Sequence, residues 1–142
     1  MKRWLKKGKG LVTGRAHGKA LVSQKAFTFA HGVDPSTGVV TDVRSDVRGM
    51  NVKGKILFYP FGKGSTTASS WFLETVRLGN NPAAVVTEAV DLSAVIGSVM
   101  ARVVYGKEIP VMFGVPHTSY VDLKSEEEVF LDAGKGEVRT EE

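Results

Sequence analysis

The middle of the chain alternates short apolar runs with longer amphipathic segments. The runs 55–59, 82–87 and 110–115 predict buried strands, because each is short, mostly apolar and bounded by proline or glycine. Between them, segments 67–78 and 92–104 repeat apolar residues at steps of three and four, which predicts helices. This β-α-β-α-β order favours a single mixed α/β domain with a partly parallel sheet.

Each predicted helix has start and stop signals. The first ends before Gly79, a position suited to a left-handed residue. The second has Asp91 or Ser93 as the candidate cap of its start and ends at Gly106. Their apolar residues form stripes, as on helices that pack against a core. The stripe of the first helix consists of Ala68, Phe72, Thr75 and Val76, and that of the second of Leu92, Val95, Ile96, Val99 and Val103.

Both ends of the chain are rich in strand patterns. Segment 10–22 predicts a half-buried strand or a bent strand pair, and short strands are expected at 27–29, 39–42, 120–123 and 128–131. A dense group of turn residues, 31–38, lies between the predicted strands 27–29 and 39–42. We expect a basic N-terminal tail over 1–9, one folded domain over 10–135 and a frayed acidic C-terminus over 136–142.

The loop after the first buried strand is the best candidate for a functional site. It delivers Gly62, Lys63, Gly64 and Ser65 to a predicted helix start, followed by two threonines. Unpaired N–H groups and the helix dipole favour an anion there, and the glycines let a ligand approach the backbone. The simpler alternative is that Ser65 or Thr66 only caps the helix. The loop is not a Walker A motif, because glycine follows the lysine.

The composition excludes several kinds of site. The chain has 142 residues, 42% of them hydrophobic and 24% charged, which suits one globular domain. It contains no cysteine and therefore forms no disulfide, offers no thiol nucleophile and cannot ligate an iron–sulfur cluster through its own thiolates. Its histidines, His17, His31 and His117, are far apart and match no zinc-ligand spacing, so no metal site is expected.

The charge pattern says little about partners. The net charge of +4 is concentrated near the N-terminus, where a solvated basic tail is the simplest interpretation. Most phenylalanines lie in apolar runs rather than on a basic face, so nucleic-acid binding is a weak alternative. No apolar stretch has the length of a membrane span, and the basic start is followed by Gly8-Lys9-Gly10 rather than a signal sequence. We expect a cytoplasmic protein that binds neither membrane nor nucleic acid.

Four motifs, taken together and in order, resemble the small, swivelling-domain subunit of the aconitase X family, and most of all its archaeal phosphomevalonate dehydratase branch. The similarity runs from about Gly10 to Val115, and the combination is much more specific than any single motif. The motifs are Gly18-x-Ala20-Leu21-Val22-Ser23, Gly32-Val33-Asp34-Pro35-x-Thr37-Gly38, Gly54-Lys55-x-Leu57 with Pro60 and Gly62-x-Gly64-Ser65, and Gly79-x-x-Pro82-Ala83-Ala84.

The resemblance implies a β/β/α swivelling domain that closes over a large subunit, in a heterodimer or larger assembly. That partner would carry an iron–sulfur cluster and most of the substrate site, and the reaction would convert (R)-5-phosphomevalonate to trans-anhydromevalonate 5-phosphate in a modified mevalonate route to isoprenoids. Ser65 would be the proton acceptor, with Lys63, Gly64, Thr66 and Thr67 binding the substrate. Two alternatives remain open: a related hydroxyproline dehydratase, and a non-catalytic swivelling domain that binds an anion.

The sequence departs from the family pattern at several positions. Family members often have serines where Thr66 and Thr67 stand, a second glycine at the position of His31, and a histidine near Ser45. The threonines keep their hydroxyls but add methyl groups, and the other two departures put any role of that region in doubt.

Three further residues have simpler interpretations. Asp34 is expected to accept backbone N–H groups in an Asx-type turn, and Arg77 to pair with Glu74 or meet the partner. His117 has no orienting partner that the sequence reveals, so we assign it no role.

Overall fold

The computed structural model describes residues 4–63 and 67–140. Within these ranges the chain forms eight strands, two α-helices and one 3₁₀ helix. In order they are β1 (Leu5–Lys7), β2 (Lys9–Val12), β3 (Arg15–Val22), β4 (Ile56–Tyr59), α1 (Thr67–Arg77), β5 (Ala84–Thr87), α2 (Leu92–Tyr105), β6 (Val111–Phe113), the 3₁₀ helix (His117–Asp122), β7 (Glu128–Asp132) and β8 (Glu137–Thr140). Neither α-helix has the length and apolar character that crossing a membrane requires.

The strands form a mixed sheet in the order β1-β8-β7-β3-β4-β5-β6-β2. The pairs β3–β4, β4–β5 and β5–β6 are parallel, while β7 and β8 extend the sheet antiparallel from β3. Only Gly8 separates β1 from β2, although these strands lie at opposite ends of that order. The sheet therefore curls until its two ends meet at Gly8, whose N–H donates to Gly136 O at 2.9 Å.

The curled sheet has a core on each face. Alternate residues of the parallel strands point to opposite sides, so Ile56 and Phe58 join the core inside the curl, and Leu57 and Tyr59 the core beneath the helices. All four side chains are fully buried. This arrangement confirms the expected α/β class with a partly parallel sheet and places α1 and α2 together on one face.

The parallel middle confirms most of the sequence predictions. The three buried strands and two helices occur where expected, and α1 buries the residues of its predicted stripe. Gly79 follows α1 with φ 78°, and Gly106 follows α2 with φ 65°, the left-handed conformation that glycine adopts at little cost. Asp91 caps α2 by accepting from the backbone N–H of Ser93.

The predicted core stripe of α2 is wrong. The helix buries its small residues instead, and its larger apolar residues face outward, except Val95, which is partly buried against the core. The cause is the close approach of the two helices: a Cβ at Gly97 would lie 2.6 Å from the Phe72 ring. The buried residues are Ala94, Gly97, Ser98 and Ala101, and those exposed are Leu92, Ile96, Val99 and Val103.

Outside the middle, several predicted strands are wrong. Segments 27–29 and 39–42 make only isolated bridges, and 120–123 lies largely in the 3₁₀ helix. The predicted tail over 1–9 and frayed end over 136–142 instead contain β1 and β8, which pair with each other. Trp4 is buried and exchanges hydrogen bonds with Thr140, so the folded domain extends to both of these residues.

Candidate active site

Residues 60–63, which follow β4, are held in place by backbone hydrogen bonds to Phe27. The N–H of Phe27 donates to Phe61 O at 3.1 Å, and the N–H of Lys63 donates to Phe27 O at 2.9 Å. Phe27 is buried and its ring stacks on Tyr59, with centroids 5.1 Å apart. The backbone as far as Lys63 is therefore held by the core and not only by its own turn.

Gly62 lies directly against the carboxylate of Asp91. A Cβ at residue 62 would be 2.5 Å from Cγ and Oδ2 of Asp91. That carboxylate is not free to move aside, because Oδ1 accepts from the N–H and the hydroxyl of Ser93, and Oδ2 accepts from the Tyr59 hydroxyl at 2.6 Å. The close approach explains why glycine is required at position 62.

We expect Gly62→Ala to destabilise the protein by about 1–3 kcal/mol, the usual cost of overpacking a fixed contact. The measurement is urea unfolding of the purified chain. Gly134→Ala is the matched control, because its added methyl would meet no heavy atom closer than Asp132 Oδ1 at 3.3 Å. Equal urea midpoints for the two variants would show that the Asp91 carboxylate moves aside and that its contact with residue 62 is not tight.

Lys63 forms an ion pair with Asp42. The ammonium nitrogen lies 2.7 Å from Asp42 Oδ2, and the Asp42 side chain is only 15% exposed. The hydrogen bond from Lys63 and a second from the N–H of Arg44 lower the pKa of Asp42 below its ordinary value. Asp42 therefore fixes where the Lys63 ammonium lies and neutralises part of its charge.

Removing the ammonium should raise the pKa of Asp42. Since the folded pKa is below the unfolded value of 3.8, the pair's stabilisation is complete above pH 3.8 and is lost as the pH falls through the folded pKa. We expect Lys63→Met to shift the Asp42 carboxyl titration upward, as measured by carbon-detected NMR. Lys53→Met, at an exposed lysine, should leave that titration unchanged. An unchanged Asp42 pKa in Lys63→Met would contradict the pairing.

The start of α1 faces the same edge of the sheet. Thr67, its first residue, is exposed, and the hydroxyl of Ser69 donates to Ser93 O at 3.2 Å, which joins the first turns of the two helices. One turn further along, Trp71 contacts the imidazole of His31, with ring centroids 4.5 Å apart. His31 has φ 57°, a conformation in which glycine is less strained, so a glycine would suit this backbone position.

A third acidic residue, Glu88, comes directly after β5 at this edge. Glu88 accepts from the N–H of His117 at 2.7 Å and also lies 2.6 Å from Nδ1 of its ring. These two contacts lower the pKa of Glu88. Sequence reasoning found no partner for His117. The position of Glu88, directly after a buried strand, was the available signal.

The structure brings together only part of the predicted site. Of its five predicted residues, Lys63 and Thr67 are described, and Gly64, Ser65 and Thr66, which lie between them in the sequence, fall outside the described residues. Asp42 and Asp91 contact the site and were not predicted as site residues. For Asp91 the only signal was its position as a helix cap, and for Asp42 there was none, because its partner is distant in sequence.

Asp34 and Arg77 each make the local interaction that the sequence predicts. Asp34 Oδ1 accepts from the N–H and hydroxyl of Ser36, which confirms the Asx-type turn. Arg77 makes two 2.7 Å hydrogen bonds to Glu74. Both interactions are local and need no ligand.

An iron–sulfur cluster does not fit the residues of this chain. Such clusters are held by cysteine thiolates, and the sequence has none. Over 4–63 and 67–140, no three histidine, aspartate or glutamate side chains come close enough to hold a metal ion. Any iron–sulfur cluster that takes part in a reaction with this chain must therefore be held by another chain.

Comparison with known proteins agrees with the fold. A family model described as "Aconitase X swivel domain" matches residues 5–140. Among curated proteins, the "Phosphomevalonate dehydratase small subunit" of Thermococcus sibiricus is 39% identical over 96% of this chain and 98% of its own length. That of Pyrococcus furiosus is 38% identical over 93% and 92%. The crystal structure of Thermococcus kodakaraensis aconitase X in its holo-form matches with a TM-score of 0.87 at 36% identity, over 98% of this chain and 99% of that one.

Proposed function

This chain belongs to the aconitase X swivel domain family, and on that premise we propose that it is the small subunit of a phosphomevalonate dehydratase. The reaction is a hydro-lyase step, the loss of water from (R)-5-phosphomevalonate to give trans-anhydromevalonate 5-phosphate. The observation that carries the proposal is the similarity to curated small subunits of that name over nearly the whole length of both chains. It favours this activity over that of a hydroxyproline dehydratase.

Ser65 is the proposed base. Loss of water from a β-hydroxy acid requires removal of a proton next to the carboxylate, and the acceptor must be held close to that carbon. Ser65 is two residues from the fixed backbone of Lys63 and two from the first residue of α1. A serine becomes a usable base only where its alkoxide is stabilised, and the N–H groups of a helix start favour a negatively charged oxygen.

Lys63, Gly64, Thr66 and Thr67 are the proposed substrate contacts. The Lys63 ammonium has three N–H donors, so its pairing with Asp42 leaves others for a carboxylate or phosphate oxygen. Because Asp42 neutralises part of the lysine charge, we assign Lys63 to orienting the substrate rather than supplying most of the affinity. The exposed Thr67 adds a hydroxyl at the start of α1.

The remaining chemistry belongs to a large subunit. The departing hydroxyl needs an electrophile, and we place the expected iron–sulfur cluster on that partner because this chain offers no thiolate for one. The relatives are named as small subunits, and the similarity covers more than nine-tenths of the length of each of these two. We propose that it is inactive alone.

The test is to co-express this chain with its candidate large subunit under anaerobic conditions and to assay the complex with each substrate. We expect product from 5-phosphomevalonate and at least 100-fold lower kcat/KM with hydroxyproline. The opposite preference would assign the chain to the hydroxyproline enzymes. A stable, cluster-loaded complex that converts neither substrate would leave a non-catalytic swivelling domain.

A further inference from the structure

The outward side of α2 is apolar along its whole length. We define the α2 face as the six large apolar residues on this side, each between 41% and 74% exposed: Leu92, Ile96, Val99, Met100, Val103 and Val104. Four of them, at positions 92, 96, 99 and 103, follow the steps of four, three and four that bring side chains into one row. Apolar side chains that adjoin in this way mark an interaction surface more often than an ordinary solvated one.

The α2 face is not the outer part of a loosely packed helix. The inward side of α2 is Ala94, Gly97, Ser98 and Ala101, all buried, and Gly97 packs on Phe72 with no room for a methyl group. The small residues therefore hold α2 tightly against α1. Its large apolar residues have no core to enter within the described chain, and the sequence places them where a solvent-exposed helix carries charged residues.

Charge is almost absent from the α2 face. Arg102 is the single charged residue between Leu92 and Tyr105. Its guanidinium donates to Thr13 O at 2.9 Å and lies 3.6 Å from Glu108, so it is engaged with its own chain. A surface depleted of charge and rich in branched aliphatic residues has the composition of a stable subunit interface.

The α2 face continues to the candidate site. Leu92 follows Asp91, whose carboxylate packs on Gly62. The adjoining residues Phe61 and Val90 are 52% and 42% exposed, and the N–H groups of residues 88 and 89 donate to Pro60 O, which holds these two loops together. An apolar surface thus runs from the far end of α2 to Phe61, which lies next to Gly62.

We propose that the α2 face, with Phe61 and Val90, is the surface on which the large subunit docks. This rests on the proposed function, which requires a partner to cover the end of β4. The area argues against a second copy of the chain. The helix is about 21 Å long and about 10 Å wide, so a symmetric pairing of α2 with itself would cover on the order of 200 Å², against about 800 Å² per partner in a standard interface. A partner that also covers the loops at the site has room to reach that size.

The first test adds charge to this surface. We expect the double variant Ile96→Lys/Val103→Lys to weaken binding of the large subunit by at least 100-fold, measured by co-purification and by titration of the two purified subunits. The control is Leu5→Lys/Leu78→Lys, which adds the same charge at two residues that are each 40% exposed, on β1 and just after α1. The control should bind as the wild type does. Wild-type affinity in the α2 variant would overturn the proposal.

The second test measures protection of the α2 face by cysteine labelling, and it can be carried out even if the charged variant fails to fold. Because the chain has no cysteine, Val99→Cys and Leu78→Cys each provide a single labelling site. In the complex we expect the thiol at 99 to react with a maleimide at least ten times more slowly than in the free chain, and the thiol at 78 to react at an unchanged rate. Equal rates at 99 would overturn the proposal, as would a wild-type dimer of this chain that protects residue 99 and persists in the complex.

These outcomes are separate from those of the proposed function. A complex that assembles through the α2 face but shows no dehydratase activity would support the docking surface and contradict the activity. A complex that is active as a dehydratase and assembles equally well with the α2 substitutions would support the activity and contradict the docking surface.

Discussion

Replacement of Ser65 by alanine should lower kcat of the reconstituted complex by about 10²- to 10⁴-fold, the usual contribution of a positioned acid or base. KM should change by no more than a few-fold, because the proposed role of Ser65 is proton removal and its neighbours are the proposed substrate contacts. The measurement is steady-state kinetics with 5-phosphomevalonate. Subunit binding should be unchanged, since only one oxygen atom is lost.

Ser70→Ala is the matched control for this experiment. Ser70 is an exposed serine on α1, five residues further along the chain, and its loss should leave kcat within two-fold of the wild type. A Ser65→Ala complex that keeps more than a tenth of wild-type kcat would exclude Ser65 as the base. Loss of assembly in this variant would show instead that the loop has a structural role at the subunit interface.

The part of the fold that could be predicted is the part held together locally. The segments β4, α1, β5, α2 and β6 each follow the last by a short connection, and their periodicity and glycine stops identify them from sequence alone. The pairing of β1 with β8 joins residues at least 130 positions apart, and no local pattern indicates it. Both strands are also short and highly charged, which is why they resembled tails.

The strand predictions in segment 27–52 failed for a different reason. Its apolar residues belong to the core beneath the helices, as strand residues would, but they are held by turns rather than by a ladder. Asp34 and Ser45 accept from backbone N–H groups two residues ahead, and Asn51 does the same for Lys53. Such side-chain bonds compete with regular structure, and apolar content alone does not distinguish the two outcomes.

For α2, periodicity identified the element correctly and its orientation incorrectly. An apolar stripe identifies the side of a helix that avoids water, and in a subunit of a larger assembly that side faces the partner as readily as its own core. The small residues at 94, 97, 98 and 101 repeat at the same steps and were the signal for the buried side. The sequence therefore contained two stripes, and only the structure shows which one faces α1.

The candidate site was located by a local motif but is held by distant partners. The helix start and the glycines were visible in the sequence, whereas Asp42 lies 21 positions before Lys63 and Asp91 lies 29 after Gly62. Acidic residues in these positions are indistinguishable from solvated ones until the chain is folded. Physical contact, and not residue type, separates them from the other carboxylates.

Asp91→Ala should destabilise the protein more than Gly62→Ala does. It removes the N-cap of α2, which costs about 1 kcal/mol, and leaves the hydroxyl of Tyr59 without its acceptor, which costs about 1–3 kcal/mol more. Tyr59 is fully buried, and burial together with the Asp91 carboxylate raises its pKa well above the ordinary value, so its hydroxyl stays protonated and must donate. The melting temperature should fall by roughly 3–4 °C for each kcal/mol lost.

A double-mutant cycle with Tyr59→Phe separates the two contributions. In the Tyr59→Phe background no hydroxyl is left unpaired, so Asp91→Ala should cost only about 1 kcal/mol, that of the lost cap. Asp91→Asn has one amide oxygen in place of two carboxylate oxygens that accept separately, so it can keep the cap but leaves the Tyr59 hydroxyl without an acceptor. It should therefore be costly in the wild-type background and lose little in the Tyr59→Phe background. Additive costs in the cycle, measured by urea unfolding, would show that the 2.6 Å contact between Tyr59 and Asp91 contributes nothing to stability. A coupling of about 1 kcal/mol or more would identify Asp91 as the residue that joins the sheet core, the start of α2 and the glycine at the entrance to the Ser65 loop.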